Sequence, residues 1–575
     1  GLFGSEYIVA SKKINNFDIS IGLGWGRLAE ENTIKNPLVN LSKSFLNRSN
    51  KVTEGGAFGG KLRNSTFFKG SRVGVFGGVK YSVPNSNLKF IAEYNTDSNN
   101  LAVRKKIIPK SSPLSYGIEW NSPSGLGFSL THQHGNQLGF SFSSSLDTKA
   151  LPASPKIEPF YSSSEKVNNI IEPETLNFDI WYDRLLYDME QSGLYLRSAN
   201  IFPDNRVLIE FSNLRYNLAA DAINKLLSLS QIHLPYQIRN IDLILNESGY
   251  KAILVNYKRR NSNNFVISDY NNQLKLSPLY NIKNPNYVTK RAVPYLNIDA
   301  NLASRFQFFD PDEPLKHQVF LRILTIANIS QDWSLIGSFA IDIDNNFDLN
   351  RAPGSRLENV RTDINKYLVE GASGLESLYL EKKSTFSKEF HYRLYAGVLE
   401  SMYSGLGVEV LYQPFMSRLA VGATINKVIK RGYKRNFELL DYETSTGFLS
   451  IYYASTFYNY DFAIHLGKYL AKDKGATFEV RRTFDNGFSV GAFATFTDVS
   501  AADFGEGSFD KGLYFRIPFD SFSRNNNRGS ISTILRSLQR DGGQRLEDFT
   551  GRLWFDLRSV RYDSLKDNKK RMIPK

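Results

Sequence analysis

The chain has 575 residues, carries 71 Lys and Arg against 57 Asp and Glu for a formal net charge of +14, and has no cysteine. The lack of cysteine excludes disulfide frameworks, Cys-ligated zinc and iron–sulfur clusters. There is no run of about 18 apolar residues that could span a bilayer as a helix. Aromatic residues make up 13% of the chain, far more than a chain without a core would carry, so the chain is expected to fold.

Alternation of apolar and polar residues predicts β-strands through the first 150 residues. In Phe17–Trp25 every second residue is apolar, and the intervening positions are polar or glycine. About seven such strands fit in residues 1–150, whereas closed membrane barrels start at about eight. An open edge in lipid leaves backbone groups unsatisfied. We therefore expect strands upstream of Gly1, or a partner, to complete a first β-barrel.

The pattern changes after residue 150. Residues 151–175 are rich in Pro, Ser and Glu and are predicted to be a linker. Residues 176–257 combine helical spacing with short strands, which predicts a small α+β domain of two αββ units. Residues 258–292 are rich in Asn and Lys and are predicted to be a second linker.

Alternation returns at Tyr295 and continues toward the end of the chain. It predicts roughly 12 to 14 strands in residues 293–575, enough to close a second barrel, for which an even number is expected. The last predicted strand has Leu553, Phe555 and Leu557 on its apolar face. The predicted fold class is therefore mainly β: tandem transmembrane antiparallel β-barrels with the small α+β domain between them.

The polar face of these later strands favours a membrane barrel over a soluble β protein. A soluble sandwich also alternates, so the period alone does not distinguish them, and a soluble sandwich or propeller stays the alternative. In a barrel whose apolar side chains face lipid, ionisable side chains point to the lumen. The residues predicted to face the lumen are His391, Arg393, Glu409, Glu479, Arg481, Arg516, Arg552 and Asp556.

No motif predicts catalysis, a cofactor or a bound metal. Gly55–Lys61 fits the first seven positions of a phosphate-binding loop, but Leu62 replaces the required Ser or Thr. His132 and His134 share a strand face but have no third metal ligand that can be named. No nucleophile elbow or Ser/His/Asp order is found, so we expect no enzyme.

The positive charge does not predict nucleic-acid binding, because basic residues are spread along the chain and no base-reading module is recognised. One local basic stretch lies between two predicted strands and is expected to be a barrel loop. That loop could bind lipopolysaccharide phosphates or an acidic glycan, or it could only keep the protein soluble. Its basic residues are Lys427, Lys430, Arg431, Lys434 and Arg435.

Five stretches of the sequence carry a resemblance to a known family. The first runs from Thr497 to Gly512 and continues into the predicted strand Leu513–Phe519, and its loop contains Asp503, Gly505, Glu506, Gly507 and Asp510. The other stretches are Gly1–Tyr7, Gly22–Leu28, Asn359–Asp363 and Tyr395–Tyr412. Together they resemble the YjbH/GfcD family of outer-membrane proteins, and the first resembles the C-terminal signature of that family.

The resemblance covers nearly all of the chain and implies a Gram-negative outer-membrane protein with two barrels joined by periplasmic α/β elements. It implies a role in secretion of an exopolysaccharide or capsule. It also implies that sequences of this family begin upstream of the position of Gly1. The expected partners are outer-membrane lipid and lipopolysaccharide, an acidic polysaccharide, and periplasmic or lipoprotein components of a secretion system. The alternatives are a non-conducting scaffold, with the lumens plugged by charges that pair with one another, and a soluble carbohydrate-binding β protein.

Overall fold

Strands dominate the computed structural model of the chain, so the fold is mainly β, as the alternation predicts. Contacts divide the chain into two compact units, Gly1–Leu151 and Pro152–Lys575. In the part of the chain that the structure describes, no helix is long and apolar enough to cross a membrane. The described residues are 5–48, 67–98, 100, 103, 112–123, 125–144, 180–247, 249–259, 273–280, 285–289, 295–308, 315–330, 332–349, 356–504, 508–521, 526–536 and 540–574.

Helices occupy little of the described chain. The two longest, Ile180–Gln191 and Ala219–His233, lie in the second unit. The other α-helices are Ile364–Val369, Ala501–Phe504, Arg552–Asp556, Tyr562–Asp567 and Lys569–Met572. The 3-10 helices are Arg27–Ala29, Pro37–Asn40, Lys43–Phe45, Phe519–Ser521 and Arg558–Val560.

The first unit contains an antiparallel sheet of eight strands. Seven follow one another in sequence order, and the short Thr33–Lys35 lies beside that path, paired with Arg72–Ser82. Alternate apolar side chains, among them Ile21, Phe90 and Phe140, are exposed. The strands are Ser5–Ile14, Phe17–Gly26, Thr33–Lys35, Arg72–Ser82, Leu88–Tyr94, Leu114–Asn121, Leu126–Gln133 and Gln137–Ser144.

The second unit contains an α+β domain, in which the two longest helices pack on a six-stranded sheet. Arg206–Asn213 and Asn240–Glu247 run parallel at its centre, and each has an antiparallel hairpin partner. Trp181, Leu185 and Ile223 are buried between helices and sheet. In spatial order the strands are Leu274–Ser277, Tyr250–Lys258, Asn240–Glu247, Arg206–Asn213, Leu194–Phe202 and Tyr287–Val288.

The two edge strands of this sheet lie where the sequence predicts the second linker. Leu274–Ser277 and Tyr287–Val288 both lie within residues 258–292, so the linker prediction was wrong for them. They have four and two residues, too few for alternation to be recognised in the sequence. Residues 151–175, the first predicted linker, lie outside the described residues.

A thirteen-stranded antiparallel sheet follows, with its strands in sequence order. The count falls within the range that the alternation predicts. Among the described residues no ladder joins the first strand to the last. The strands are Tyr295–Phe308, Leu315–Asn328, Trp333–Asn345, Gly374–Ser387, Phe390–Val398, Tyr403–Tyr412, Leu419–Arg431, Leu439–Ala454, Tyr460–Lys468, Lys474–Thr483, Ser489–Thr497, Asp510–Pro518 and Ser530–Arg536.

The two faces of the thirteen-stranded sheet have opposite polarity. In Leu439–Ala454 the exposed Leu449, Ile451 and Tyr453 alternate with buried residues such as Ser450. We call the face that carries Ser450 the inner face. A half-solvated antiparallel sheet in water has the reverse arrangement, with its apolar face covered and its polar face wet.

Residues 540–574, here called the C-terminal segment, cover the inner face. The prediction of a last strand at Leu553–Leu557 was wrong, because Arg552–Asp556 is a helix. Leu553 and Leu557 are four residues apart, so they share one face of a helix as well as one face of a strand. Arg552 also pairs at helical spacing with Asp548 and Asp556, at 2.6 and 2.8 Å.

The strands of this sheet end in two groups of connections. The first group, here called the loop end, includes 399–402 and 498–509. The second group, here called the domain end, includes 413–418 and 455–459 and lies on the side where the α+β sheet contacts Gly374–Ser387. The C-terminal segment starts at the loop end and finishes at the domain end.

Candidate functional site

The candidate functional site is the inner face of the thirteen-stranded sheet together with the C-terminal segment. Six of the eight residues predicted to face a lumen lie on strands of this sheet with buried or half-buried side chains. The other two, Arg552 and Asp556, lie on the C-terminal segment itself. The site is therefore built from two parts of the chain, of which the sequence pattern predicts one.

Arg393 pairs with carboxylates on both neighbouring strands. Its guanidinium forms an ion pair with Glu381, and Nη1 lies 3.7 Å from Oε2 of Glu409. Nη1 also donates to the backbone oxygen of Asp548, at 2.8 Å. Oε1 of Glu409 accepts a hydrogen bond from the backbone N–H of Leu553, at 3.0 Å. These two predicted residues therefore hold the C-terminal segment.

Glu479 is the acceptor of a second polar cluster on the inner face. The hydroxyl of Tyr514 donates to its Oε1 at 2.6 Å, and Nη2 of Arg545 lies 3.9 Å from its Oε2. Nε2 of His465 lies 3.7 Å from the same oxygen, and Nδ1 of His465 lies 2.7 Å from Oγ of Ser450. Neighbouring hydrogen-bond donors and the Arg545 cation thus offset the cost of removing the Glu479 carboxylate from water.

Arg481 and Arg516 lie near the domain end of the inner face. Nη2 of Arg481 donates to Oγ of Ser489 at 3.2 Å, and its guanidinium carbon lies 4.8 Å from the ring centroid of Phe555. That distance fits a cation–π contact with the C-terminal segment. Nη1 of Arg516 donates to the backbone oxygen of Gly487 at 3.4 Å.

His391 is buried where the α+β domain meets the sheet. Its Nδ1 lies 3.0 Å from Oγ1 of Thr385, and its ring is edge-on to Tyr250, with centroids 6.0 Å apart. The backbone N–H of Lys251 donates to the same Thr385 hydroxyl at 3.1 Å. His391 is thus part of a contact between domains.

A buried ion pair strengthens this contact. Glu247, at the end of a central strand of the α+β sheet, forms an ion pair with Arg528 of the connection 519–529. Burial raises the pKa of Glu247 above its ordinary value, although the Arg528 guanidinium acts in the opposite direction. Nδ2 of Asn217 also donates to the backbone oxygen of Asn486, at 3.2 Å. The α+β domain therefore closes part of the domain end.

Asp541 anchors the C-terminal segment at the loop end. Its Oδ1 accepts hydrogen bonds from the backbone N–H groups of Val360, Arg361 and Thr362, at 2.9, 2.8 and 2.9 Å. Its Oδ2 accepts a hydrogen bond from the hydroxyl of Thr362 at 2.7 Å. Hydrogen bonds to an ionised acceptor are among the strong ones in proteins, and Asp541 is fully buried.

Arg361 and Glu400 add a second anchor beside Asp541. Two hydrogen bonds join their side chains, at 2.5 and 3.1 Å. Arg361 also donates to the backbone oxygen of Arg545, and Glu400 accepts from the backbone N–H of Glu547. Burial opposes the charged form of Arg361, but attraction by Glu400 and Glu547 outweighs it and raises the pKa of the guanidinium.

Asp461 holds the C-terminal segment at the domain end. Nε of Arg558 and Nη2 of Arg561 donate to its two oxygens, at 2.8 and 2.7 Å. The guanidinium of Arg561 lies 3.7 Å from the ring centroid of Trp554, which stacks on Tyr452. Charged and aromatic contacts therefore fix this end of the segment as well.

The last residues of the segment contact the helix Ala219–His233. Nδ2 of Asn224 donates to the backbone oxygens of Arg571 and Ile573, both at 2.9 Å. The guanidinium of Arg571 pairs with Asp221, at 2.9 Å. The C-terminal segment thus connects the loop end of the sheet to the α+β domain.

The predicted basic loop is largely buried, which corrects the expectation of a solvated loop. Lys430 pairs with Asp363 at 2.6 Å, and Arg431 and Arg435 donate to backbone oxygens. All three cations are at most 3% exposed. Lys430 and Arg435 hold the connection 346–373 against the sheet, and Arg431 binds the backbone of the connection 399–402. Lys427 is exposed and lies 3.9 Å from Glu443.

The predicted signature loop lies at the loop end. Asp503 accepts a hydrogen bond from the Ser500 hydroxyl at 2.6 Å, and Asp510 is buried at the start of its strand. Gly505, Glu506 and Gly507 lie outside the described residues, as does Gly55–Lys61. In the ranges that the structure describes, no group of three or more His, Asp or Glu side chains is arranged to hold a metal.

Sequence reasoning missed the residues that anchor the C-terminal segment. Asp541 is 179 to 181 residues from the amides that it binds, and no local pattern signals such a contact. Asn359–Asp363, which contains those amides, was one of the stretches that carry the family resemblance. Asp461 and Glu400 lie at strand ends, where the alternation gives no signal.

The fold and the site define a mainly β protein, in which a large antiparallel sheet turns apolar side chains outward and packs its polar face on its own C-terminal segment. Residues 1–557 match the family model YjbH, described as "Exopolysaccharide biosynthesis protein YbjH". The chain belongs to this family, which confirms the family predicted from the sequence. It is 28% identical to "Uncharacterized lipoprotein YjbH" of Escherichia coli (strain K12), over 95% of this chain and 78% of that protein.

Proposed function

We propose that this chain is an outer-membrane component of exopolysaccharide secretion in a Gram-negative bacterium. The thirteen-stranded sheet would lie in the membrane and the α+β domain in the periplasm. The C-terminal segment would close the interior, so that the chain organises secretion without conducting the polysaccharide. The observation that carries this proposal is the packing of residues 540–574 on the charged inner face.

The apolar outer face supports the membrane placement. Leu406, Ile425 and Leu449 are 60, 62 and 50% exposed. Soluble monomers rarely expose contiguous apolar patches larger than a few hundred Å², and larger patches mark protein or membrane contacts. The sheet of the first unit has the same feature, since Phe140 is 72% exposed. Lipid around both sheets would remove this surface from water.

The connections of the thirteen-stranded sheet support an orientation. Bacterial barrels have short periplasmic turns and longer extracellular loops. The two longest connections, 346–373 and 498–509, are both at the loop end. We therefore propose that the loop end, with the signature loop, faces the cell exterior. The domain end would face the periplasm together with the α+β domain.

The pairing of charges on the inner face supports a closed interior. A hydrated polysaccharide needs water or unpaired polar groups along its path. Arg393, Glu409 and Glu479 already have partners on the sheet and on the C-terminal segment. Separating buried charge pairs leaves uncompensated charge, at a cost of several kcal/mol. Entry of a glycan would therefore require release of the whole segment.

The comparisons support an envelope location and suggest classes of partner. The E. coli relative is named a lipoprotein, and we propose a membrane-associated location for this chain too. Proposed partners are outer-membrane lipid and lipopolysaccharide at the outer face, an acidic polysaccharide, and periplasmic or lipoprotein components at the α+β domain. We propose neither catalysis nor nucleic-acid binding.

Single-channel recording of the full chain in a planar bilayer tests the closed interior. Inserted protein, verified by protease protection, should be silent, and variants that release the C-terminal segment should conduct. Steady conductance of the unaltered chain that the acidic exopolysaccharide blocks would overturn the closed interior and support a translocation path. A monodisperse preparation without detergent would overturn the membrane placement.

A further inference from the structure

Two arginines of the inner face, Arg481 and Arg516, lie close together at the domain end. Ser489 is directly opposite Arg516 on the neighbouring strand, and Nη2 of Arg481 donates to Oγ of Ser489 at 3.2 Å. Residues directly opposite each other in an antiparallel pair have Cβ atoms about 5 Å apart. Arg481 and Arg516 lie on the two strands that flank the strand of Ser489. The two guanidinium groups are therefore neighbours around one buried hydroxyl.

Two carboxylates near Arg481 in the sheet are bound by other groups. Asp461 is directly opposite Arg481, but both of its oxygens accept hydrogen bonds from arginines of the C-terminal segment, at 2.8 and 2.7 Å. Glu479, two residues away on the same face of the strand, accepts a hydrogen bond from the hydroxyl of Tyr514. The guanidinium of Arg481 instead contacts the Ser489 hydroxyl and the ring of Phe555.

The charged side chains that act on Arg516 are cations. In the part of the chain that the structure describes they are Arg481, Arg528 and Arg552. Arg528 and Arg552 each form an ion pair with a carboxylate, whereas Arg516 donates to a backbone oxygen. Charges that are partly removed from water are normally paired, because like charges repel one another more strongly there. Arg481 and Arg516 thus add positive charge that their surroundings do not balance.

We infer that Arg481 and Arg516 together bind one anionic group, a carboxylate or a phosphate, at the domain end of the inner face. A guanidinium presents its N–H donors in a planar fork that matches two oxygens of such a group. Hydrogen bonds between ionised partners are among the strong ones in proteins. Two sources have this chemistry: a uronic acid of an acidic polysaccharide and a free phosphate ion. For the polysaccharide, the inference rests on the proposed function.

The position of the two arginines allows the group to bind without entering the closed interior. Arg481 and Arg516 are half-buried, whereas Arg393, farther from the strand ends, is 3% exposed. Both lie within two residues of the end of their strands, Lys474–Thr483 and Asp510–Pro518. A ligand that arrives at the domain end therefore reaches them before it reaches the ion pairs of Arg393.

Thermal unfolding of the full chain in detergent tests the site. The probes are inorganic phosphate, an oligomer of galacturonic acid and, as the neutral control, a glucose oligomer of the same length. Salt is kept at about 150 mM to screen non-specific attraction by the net positive charge. We expect an anionic probe to raise the unfolding temperature and the glucose oligomer to leave it unchanged. A shift with galacturonate alone identifies the acidic sugar as the source, and a shift with phosphate alone identifies phosphate. No shift with either would overturn the inference.

Single substitutions assign the binding to these arginines. Arg481→Gln and Arg516→Gln should each weaken binding of the active probe about 10- to 100-fold, as expected for loss of one charged hydrogen-bond donor. Arg482→Gln is the matched control. It removes the same charge from the next residue, on the opposite face of the strand, where the guanidinium lies 4.4 Å from the ring centroid of Phe484. Unchanged affinity in both variants would place the anion elsewhere and overturn the inference.

The ligand-free variant separates binding from a structural role. Arg516→Gln removes a cation from beside other cations, so without a probe it should unfold at the same temperature as the unaltered chain or at a higher one. An arginine that only supports the fold would lower that temperature on substitution. A lower unfolding temperature together with unchanged affinity for the probe would therefore contradict the inference.

Chemical modification of the unaltered chain tests the same residues without substitution. Phenylglyoxal reacts with guanidinium groups, and the modified residues are identified by mass spectrometry. We expect the anionic probe to slow modification of Arg481 and Arg516 but not of Arg482, and equal rates with and without the probe would overturn the inference. Bilayer recording separates this failure from failure of the proposed function. A silent, inserted chain that binds no anion refutes only the site, whereas a conducting chain that binds one refutes only the closed interior.

Discussion

Replacing Asp541 with Ala should release the C-terminal segment at the loop end. The substitution leaves the backbone N–H groups of Val360, Arg361 and Thr362 without their acceptor. A buried donor left unsatisfied costs about 1–3 kcal/mol, so the three amides together cost about 3–9 kcal/mol. Water entering the site brings the cost to the lower end of this range. A cost of about 3 kcal/mol raises the detached fraction of the segment roughly 100-fold.

The assay is bilayer recording combined with limited proteolysis of the C-terminal segment. Asp541→Ala should conduct in brief openings and be cut faster within residues 540–574. Asp541→Asn keeps one acceptor oxygen, so its effect should be about 1–2 kcal/mol. The control is Asp344→Ala, which removes the same charge from a side chain that is 69% exposed. The reasoning is refuted if Asp541→Ala is as silent and as protease-resistant as that control.

Three further substitutions test other contacts. Arg393→Met leaves the buried Glu409 without its cation and leaves Glu381 only Lys383, at 3.0 Å, so it should lower the free energy of unfolding by about 3–5 kcal/mol, measured by denaturant titration in detergent. Asn224→Ala removes two hydrogen bonds to the end of the segment, so amide hydrogen exchange in residues 571–573 should become roughly tenfold faster. Burial, followed by the charge of Asp242, raises the pKa of Tyr280 to about 12. The stability linked to this proton is present below about pH 10 and is lost as the pH rises toward 12, so Tyr280→Phe should make the free energy of unfolding less dependent on pH in that range.

Each of these variants has a matched control elsewhere in the chain. Arg356→Met removes a guanidinium whose side chain is 75% exposed, and Tyr187→Phe removes a hydroxyl from a tyrosine that is 65% exposed. Gln231→Ala alters the helix of Asn224 at a side chain that bonds Tyr257 and not the segment. An equal response of a variant and its control would contradict the contact that the variant tests.

The alternation predicts the thirteen-stranded sheet because each strand is long and its faces differ in chemistry. Arg393, Glu409 and Glu479 could be assigned to the polar face from their positions alone, since the side-chain period of a strand is fixed. Their partners could not be assigned. Pairing across strands depends on register, and contacts with the C-terminal segment depend on the course of a distant part of the chain.

The strand predicted at Leu553–Leu557, within the C-terminal segment, is wrong for a physical reason. Five residues from Leu553 to Leu557 are too few to separate a period of two from a period of 3.6 residues. Trp554 breaks the alternation, because it is apolar at a position predicted to be polar, and it is buried against Tyr452. Such a break is the local sign by which a strand and a helix could have been distinguished.

The position of the C-terminal segment constrains the order of assembly. Residues 540–574 are synthesised after all thirteen strands, yet the inner faces of those strands pack on them. Until these residues have been made, Arg393 and Glu409 lack part of their final surroundings, and a sheet completed earlier would have to keep water inside. Under the proposed membrane placement, we expect insertion to follow synthesis of the whole chain, and a chain cut at residue 539 to accumulate as an assembly intermediate instead of forming an open pore.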